Sequence, residues 1–485
     1  MLRAAKAFVR AAALAGMLAS PALSQTPNWA RMAEDDLAAA RALLLESHPG
    51  AVPELNDAAF QRQLGAGYEQ ALAIARAART YGGYRAALQR FAASFNDPHI
   101  ATAPLVQAER HWPGFAVGLR KDGWKVIARA GEDAPPVGAT LLSCDGRTPD
   151  QLAQERLAPF TGSWAVRGER IRFSTSLLQD AGNPQQPRLE RCDFSGSDGR
   201  HTHQLRWSPV TPEIGSLIAA ARPWPSEEVW LRPFEKGYWI RLGTSGGAAV
   251  PLLAEAQRQE SALRAAPFVV VDLRGNAGGA SYFTDELARR IYGAARVAEA
   301  RRPRRTAEPE TIVWRASPPS LQRIEEYIQR SARFASAEHP IMLGLLAQRE
   351  ALRQSLATGA PLARAPAEVQ RRAGEEGSDR VRRPPRVILV TDRHCFSSCL
   401  LGVRLFRALG AEHVGEETRA NTRYSDLRTV ELPSGLSNFS TMQSFSTWLP
   451  MEIGPYAPAL SFDGDLVDDA AVQAWVSGLV TRSRR

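Results

Sequence analysis

Val269-Val270-Val271-Asp272-Leu273-Arg274-Gly275-Asn276-Ala277-Gly278-Gly279 is the stretch that decides the fold. Three consecutive valines between Phe268 and Asp272 predict a strand buried on both faces, because β-branched side chains pack well on a pleated surface. The glycines end that strand, and Phe283-Thr284-Asp285-Glu286-Leu287-Ala288 predicts the start of a helix. A buried strand, a Gly-Gly turn and a helix N-terminus put backbone N–H groups at the carboxyl end of a sheet. That geometry suits an anion or a developing oxyanion. Taken alone, the same pattern also fits a tight strand-to-helix turn with no chemistry.

A second stretch has the same outline. Arg386-Val387-Ile388-Leu389-Val390-Thr391 predicts another buried strand. It runs through Asp392-Arg393-His394-Cys395-Phe396-Ser397-Ser398-Cys399 into a helical Leu400-Leu401-Gly402-Val403-Arg404-Leu405-Phe406. A serine at such a junction has an exposed hydroxyl with a helix dipole beneath it. With both stretches in view, the chain resembles the tail-specific (carboxy-terminal-processing) and tricorn-core serine peptidases. Members carry an Asp-Leu-Arg-x-Asn-x-Gly-Gly turn and, later, a strand ending in a Phe-Ser-Ser-type nucleophile turn. Val414-Gly415-Glu416-Glu417-Thr418 is similar to the family's Gly-Glu-Pro-Thr turn.

The resemblance implies an α/β fold: a crotonase/ClpP-like core with an N-terminal helical region and a small β-rich, PDZ-like domain. It also implies a serine peptidase that needs no cofactor and no metal. Ser397 would be the nucleophile, with Gly278 and Ser398 N–H groups as oxyanion donors. The lysine of the tail-specific branch is missing, since Arg419-Ala420-Asn421-Thr422 occupies its place. The histidine branch supplies a base from the N-terminal side, and His99 in Phe95-Asn96-Asp97-Pro98-His99 is the matching candidate. Glu416 is expected to orient it, with Glu417 and Asp97 as rivals. The chain has Cys399-Leu400 where the family usually has Ala-Glu.

The rest of the chain divides around these motifs. Residues 1–24 hold Arg3, Lys6 and Arg10, an apolar run from Ala11 to Ala19, and the small-x-small site Ala22-Leu23-Ser24. This reads as a secretory signal peptide whose apolar run is too short to span a bilayer. Its removal would take the net charge from +9 to 9 − 3 = +6. The protein is therefore expected to be exported, periplasmic or secreted, with no stable membrane span. Residues 25–105 read as helical, with Leu37, Ala40, Leu44 and Leu45 at helical spacing. Residues 106–208 read as β-rich. There Val137-Gly138-Ala139-Thr140-Leu141-Leu142-Ser143-Cys144-Asp145-Gly146 resembles a PDZ hairpin, and Leu152–Leu157 would be the helix beside the groove. Residues 209–300 and 386–485 form the core, and residues 301–385 an arginine-rich, partly helical insertion, either a substrate-facing arm or a solvated excursion.

Four cysteines fit an oxidising compartment. Cys144 with Cys192 and Cys395 with Cys399 is the simplest of the three pairings. The spacing does not match zinc sites. Basic residues are dispersed outside 301–386 without interleaved aromatics, which argues against nucleic acid. The peptidase resemblance implies a peptide or unfolded protein as the partner. Two other functions compete. Gly243-Thr244-Ser245-Gly246-Gly247 matches the Gly-x-Ser-x-Gly elbow of an α/β-hydrolase esterase, which would need an acid such as Asp272 and a histidine such as His394 or His413. A secreted peptide-binding protein on an inactive peptidase scaffold is the third class.

Overall fold

The valine run forms the strand Phe268–Asp272, in which every residue is buried. The computed structural model describes residues 27–197, 199–222, 224–301, 311–333, 336–366, 379 and 381–482. The predicted signal peptide lies outside these residues. Phe268–Asp272 is central in a six-stranded sheet. It pairs in parallel with Gly237–Leu242 on one side and Arg386–Thr391 on the other. The sheet continues in parallel through Glu412–Gly415 to Leu460–Ser461, and the antiparallel strand Val229–Phe234 closes the opposite edge. Alternation sorts the valines. Val269 and Val271 pack with Leu287, Ile291, Val403 and Phe406 of the helices Tyr282–Tyr292 and Ser398–Ala408. Val270 faces the other side, against Val472, Val476 and Val480 of the helix Asp469–Arg482. This two-sided burial explains a run with no polar alternation.

The N-terminal region is helical, with main helices Trp29–Ser47, Tyr68–Arg76 and Tyr81–Ser94. Leu37, Ala40 and Leu44 are buried as expected, whereas Leu45 is exposed and Leu43 takes its place in the core. A π-helical turn, Gln63–Gly67, interrupts what reads in the sequence as one helix. Residues 106–208 contain a five-stranded antiparallel sheet, from Phe115–Arg120 to Gly199–Gln204 in chain order. The disulfide Cys144–Cys192 links two neighbouring strands of that sheet, and the helix Pro149–Arg156 packs beside it.

Within 301–385, the described part is packed structure. The strands Ile312–Arg315 and Leu362–Arg364 flank the helices Pro318–Ser331 and Pro340–Thr358. Ile312–Arg315 pairs with the long strand Ser437–Ser446, which also holds Thr102–Pro104 just after His99. Trp314, Ile324, Leu352 and Ala363 form a small core of their own. A solvated excursion therefore does not describe this part, because it extends a second five-stranded sheet built on Ser437–Ser446.

A buried charge network fixes the end of the central strand. Arg241 and Arg274 both pair with Asp272, at 2.8 Å and 2.7 Å, and all three residues are buried. Trp239 Nε1 donates to the same carboxylate at 3.2 Å. Arg274 also donates to the Leu466 carbonyl and to Asp469, which ties the C-terminal helix to the strand. Burial opposes ionisation of Asp272, but the two arginines outweigh it and hold its pKa below the usual carboxylate value. Removing the carboxylate leaves buried Arg241 without its counter-charge and Arg274 with only the partly exposed Asp469. Asp272→Ala should cost about 3–5 kcal/mol, read as a lower urea midpoint. An unchanged midpoint would show that the network contributes no net stability.

Candidate active site

The two turns named in the sequence meet at the carboxyl end of the sheet. The strand Arg386–Thr391 ends at buried Asp392, whose carboxylate accepts the Gly275 N–H at 3.1 Å and the His394 N–H at 3.0 Å. Phe396 N–H donates to the Asn276 carbonyl at 3.1 Å. The Asn276 side chain spans the glycine turn. Its Nδ2 donates to the Leu242 carbonyl and to Ser245 Oγ, and its Oδ1 accepts the Gly278 N–H at 2.9 Å. The disulfide Cys395–Cys399 closes across the serine turn.

Ser397 sits between this turn and the helix Ser398–Ala408, with φ 56° and ψ −124°. Such a backbone costs roughly 1–3 kcal/mol in a non-glycine residue and persists only where its surroundings enforce it. A nucleophile elbow uses the same kind of strained strand-to-helix turn to lift a hydroxyl clear of the backbone. Ser397 is half-buried, and Gly278 lies directly against it. A Cβ on Gly278 would come within 2.7 Å of the Ser397 Cβ, and its φ of 106° is itself one that side chains rarely adopt. Only glycine allows this approach.

His99 arrives from the far end of the chain. The helix Tyr81–Ser94 ends, Asn96 takes a left-handed φ of 52°, and the chain reverses through Asp97-Pro98-His99. His99 Nε2 lies 3.0 Å from Ser397 Oγ. His99 Nδ1 lies 3.0 Å from Asp97 Oδ1, which also accepts the His99 N–H at 2.9 Å. Thr422 Oγ1 donates to the other Asp97 oxygen. Burial raises the Asp97 pKa, but His99 and Thr422 outweigh that and hold it low, so Asp97 is a carboxylate. Serine, imidazole and carboxylate thus stand in one line.

Behind the imidazole, Phe396 stacks on His99 with ring centroids 4.5 Å apart. The Arg419 guanidinium lies 3.8 Å from the Phe396 ring centroid and pairs with buried Glu169. Arg419 stands near the lysine position of the tail-specific branch. Burial lowers its pKa and neighbouring Glu169 opposes the shift; it remains a cation that supports a ring rather than a base.

Several expected roles need adjusting. Glu416 does not orient His99: its carboxylate accepts from Arg393 Nη1 at 2.9 Å, and the rival Asp97 holds the imidazole. The reason is local. Asp97 lies two residues before His99 on one turn, whereas Glu416 is drawn to a guanidinium on the serine turn. Gly278 is beside Ser397, yet its N–H is engaged by Asn276. The N–H groups of Ser398 and Gly279 have no hydrogen-bond partner among the described residues. Ser245 is not at an elbow of its own. It is buried, bonded to Asn276, and its carbonyl accepts the Ala280 N–H. Asp272 is committed to Arg241 and Arg274, His394 to Asp392, and His413 to Thr391. The Ser245 esterase constellation is therefore not assembled. The sequence pattern marks Arg419 and Thr422 only as the segment where the lysine is missing, and it does not mark Glu169. They are joined to the site only by folding.

No family model matches the sequence, and no curated protein matches it. Solved structures do share the fold. Mature CPAF aligns at a TM-score of 0.58 and 14% identity, covering 93% of this chain and 96% of that one. Mature CPAF complexed with lactacystin aligns at 0.58 and 14%, covering 93% and 97%. The photosystem II D1 C-terminal processing protease aligns at 0.33 and 13%, covering 91% and 98%. The chain thus has the α/β fold of CPAF over nearly its whole length.

The geometry makes a direct forecast about reactivity. A fluorophosphonate should label the protein, and Asp97→Asn should slow labelling by about 10³–10⁴-fold, as loss of the orienting carboxylate does in serine triads. Glu416→Gln should slow it by less than about tenfold, since an ion pair away from the imidazole acts only indirectly. The reverse ranking would return the orienting role to Glu416.

Proposed function

We propose that this protein is an exported serine peptidase that cleaves peptides or unfolded proteins through an acyl-enzyme on Ser397. The observation that carries this reading is the continuous line from Ser397 Oγ to His99 Nε2 and from His99 Nδ1 to Asp97, at 3.0 Å each. With Asp97 accepting from Nδ1–H, Nε2 is left to take the Ser397 proton. The oxygen attacks the substrate carbonyl, and the imidazolium then protonates the leaving amine. Water repeats the sequence to release the acyl group. The Ser398 N–H at the helix start is one oxyanion donor, and the Gly278-Gly279 turn supplies the other. On that turn the Gly279 N–H is unengaged, and Gly278 can contribute only if Asn276 releases it. The fold shared with CPAF, which has been solved with lactacystin bound, supports the same reading.

The domain division supports it too. We read 25–105 as the region that delivers the base, 106–208 as a PDZ-like module, and 209–300 with 386–485 as the peptidase core around the 301–385 insertion. PDZ grooves bind peptides by strand addition. Export is supported by residues 1–24 and by the two disulfides. Among the described residues, no helix is long and apolar enough to cross a membrane.

Hydrolysis of an unstructured protein tests the proposal. Ser397→Ala and His99→Ala should each lower kcat by on the order of 10⁴-fold or more, and the double variant should cost little beyond either, because the two act as a unit. Full activity in Ser397→Ala, with the fold intact, would remove Ser397 from the mechanism. Gly278→Ala should also reduce turnover, but through displacement of the Ser397 side chain as well as through any donor. Its labelling by fluorophosphonate should therefore fall together with its peptidase rate.

A further inference from the structure

A group of arginines lies beside the nucleophile turn with too few carboxylates to match it. Arg393 is four residues before Ser397, and its Cβ side packs on Gly168 of the helix Arg167–Ser174. Arg172, on that same helix, has an exposed side chain. Its carbonyl accepts from Arg222 Nη2, and Arg222 Nη1 donates to Thr175 at 2.9 Å. Arg120 reaches the next residue along, donating to the Ala221 carbonyl at 3.1 Å. Two residues beyond Arg222, Trp224 covers the His394 ring at a centroid distance of 3.6 Å yet is 46% exposed.

The counter-charges are unevenly placed. Glu416 pairs with Arg393, and Glu169 pairs with Arg419 and, at 3.7 Å, with Arg172. Arg120 and Arg222 form no ion pair among the described residues and are held by carbonyls and a hydroxyl. The more distant Asp465 and Asp122 favour the charge on Arg120, but Asp122 is itself paired with Lys125. Burial lowers the Arg222 pKa, and the neighbouring charges of Arg172, Arg393 and Arg120 lower it further. Guanidiniums gathered by neutral acceptors repel one another unless an anion joins them.

We propose that this basic ledge receives an acidic segment of the polypeptide substrate, its Asp or Glu carboxylates meeting Arg172, Arg222 and Arg120 while an apolar neighbour rests on Trp224. The ledge joins the β-rich module to the serine turn through the packing of Arg393 on Gly168. The inference takes its substrate role from the peptidase reading. The ligand chemistry is independent of turnover: planar, bidentate carboxylates suit arginine forks better than lysine ammoniums.

Binding to the full-length Ser397→Ala protein is the test, read as fluorescence anisotropy of a labelled Glu-rich peptide and of its Gln-substituted twin. The Glu peptide should bind about tenfold tighter at low salt, and the advantage should vanish as screening grows toward ~0.5 M NaCl. Arg172→Glu, at an exposed position, should abolish or invert the preference, and Arg120→Gln should reduce it. Equal affinity of the two peptides, or a preference untouched by salt and by Arg172→Glu, overturns the proposal. So does a single-stranded oligonucleotide that displaces the Glu peptide and binds more tightly than it does. If the preference is present but wild-type protein cleaves neither peptide, the peptidase reading fails while the ledge stands.

Discussion

Two turns from distant parts of the chain are locked together, and the site depends on that lock. Asp392 ends one core strand and holds the first N–H of the glycine turn that follows its neighbour. The Asn276 carbonyl, on the glycine turn, holds Phe396 on the serine turn. Parallel pairing sets both turns at the same edge of the sheet, and these bonds set their spacing. Ser397 can then keep a left-handed backbone, because Gly278 has no side chain to push it away and the helix behind it fixes its carbonyl side. The strain is local, and the buried sheet that opposes it is extensive.

His99 reaches Ser397 across a sequence separation of 298 residues. Its placement depends on packing more than on the turn that carries it. The strand Thr102–Pro104 anchors the chain just past His99 onto Ser437–Ser446, and Thr422 grips Asp97 from the same half of the protein. Phe396 forms a wall for the imidazole, with Arg419 and Glu169 behind it. Glu169 belongs to the β-rich region, as does Ser163, which bonds Asn96 on the histidine turn. Three regions of the chain therefore meet at one hydroxyl. This accounts for a site whose members are scattered through the sequence.

The sequence shows strands, turns and the serine clearly, because their signals are local: a valine run, a glycine pair, a Phe-Ser-Ser turn. His99 was legible only through its neighbours in Phe-x-Asp-x-His. A motif position at Glu416 says nothing of which cation is nearer, and its carboxylate meets Arg393 while Asp97 meets the imidazole. The motif points to Gly278 as a donor, but its N–H is held by the side-chain oxygen of Asn276, two residues away. The packing of 311–333 and 336–366 onto the second sheet could not be seen from composition, since its strands are short and its pairing partners lie beyond residue 436. The arginine ledge left no sequence signal either. Its members are spread from Arg120 to Arg393, and dispersed arginines read as ordinary surface charge.

The central claim is that Ser397, and not another hydroxyl, is the activated nucleophile. The most direct measurement is to treat the native protein with a fluorophosphonate, digest it and locate the adduct by mass spectrometry. The account predicts one modified peptide, carrying the adduct on Ser397, and none after acid unfolding of the protein before treatment. An adduct on Ser245, or an equal yield from native and unfolded protein, would contradict it.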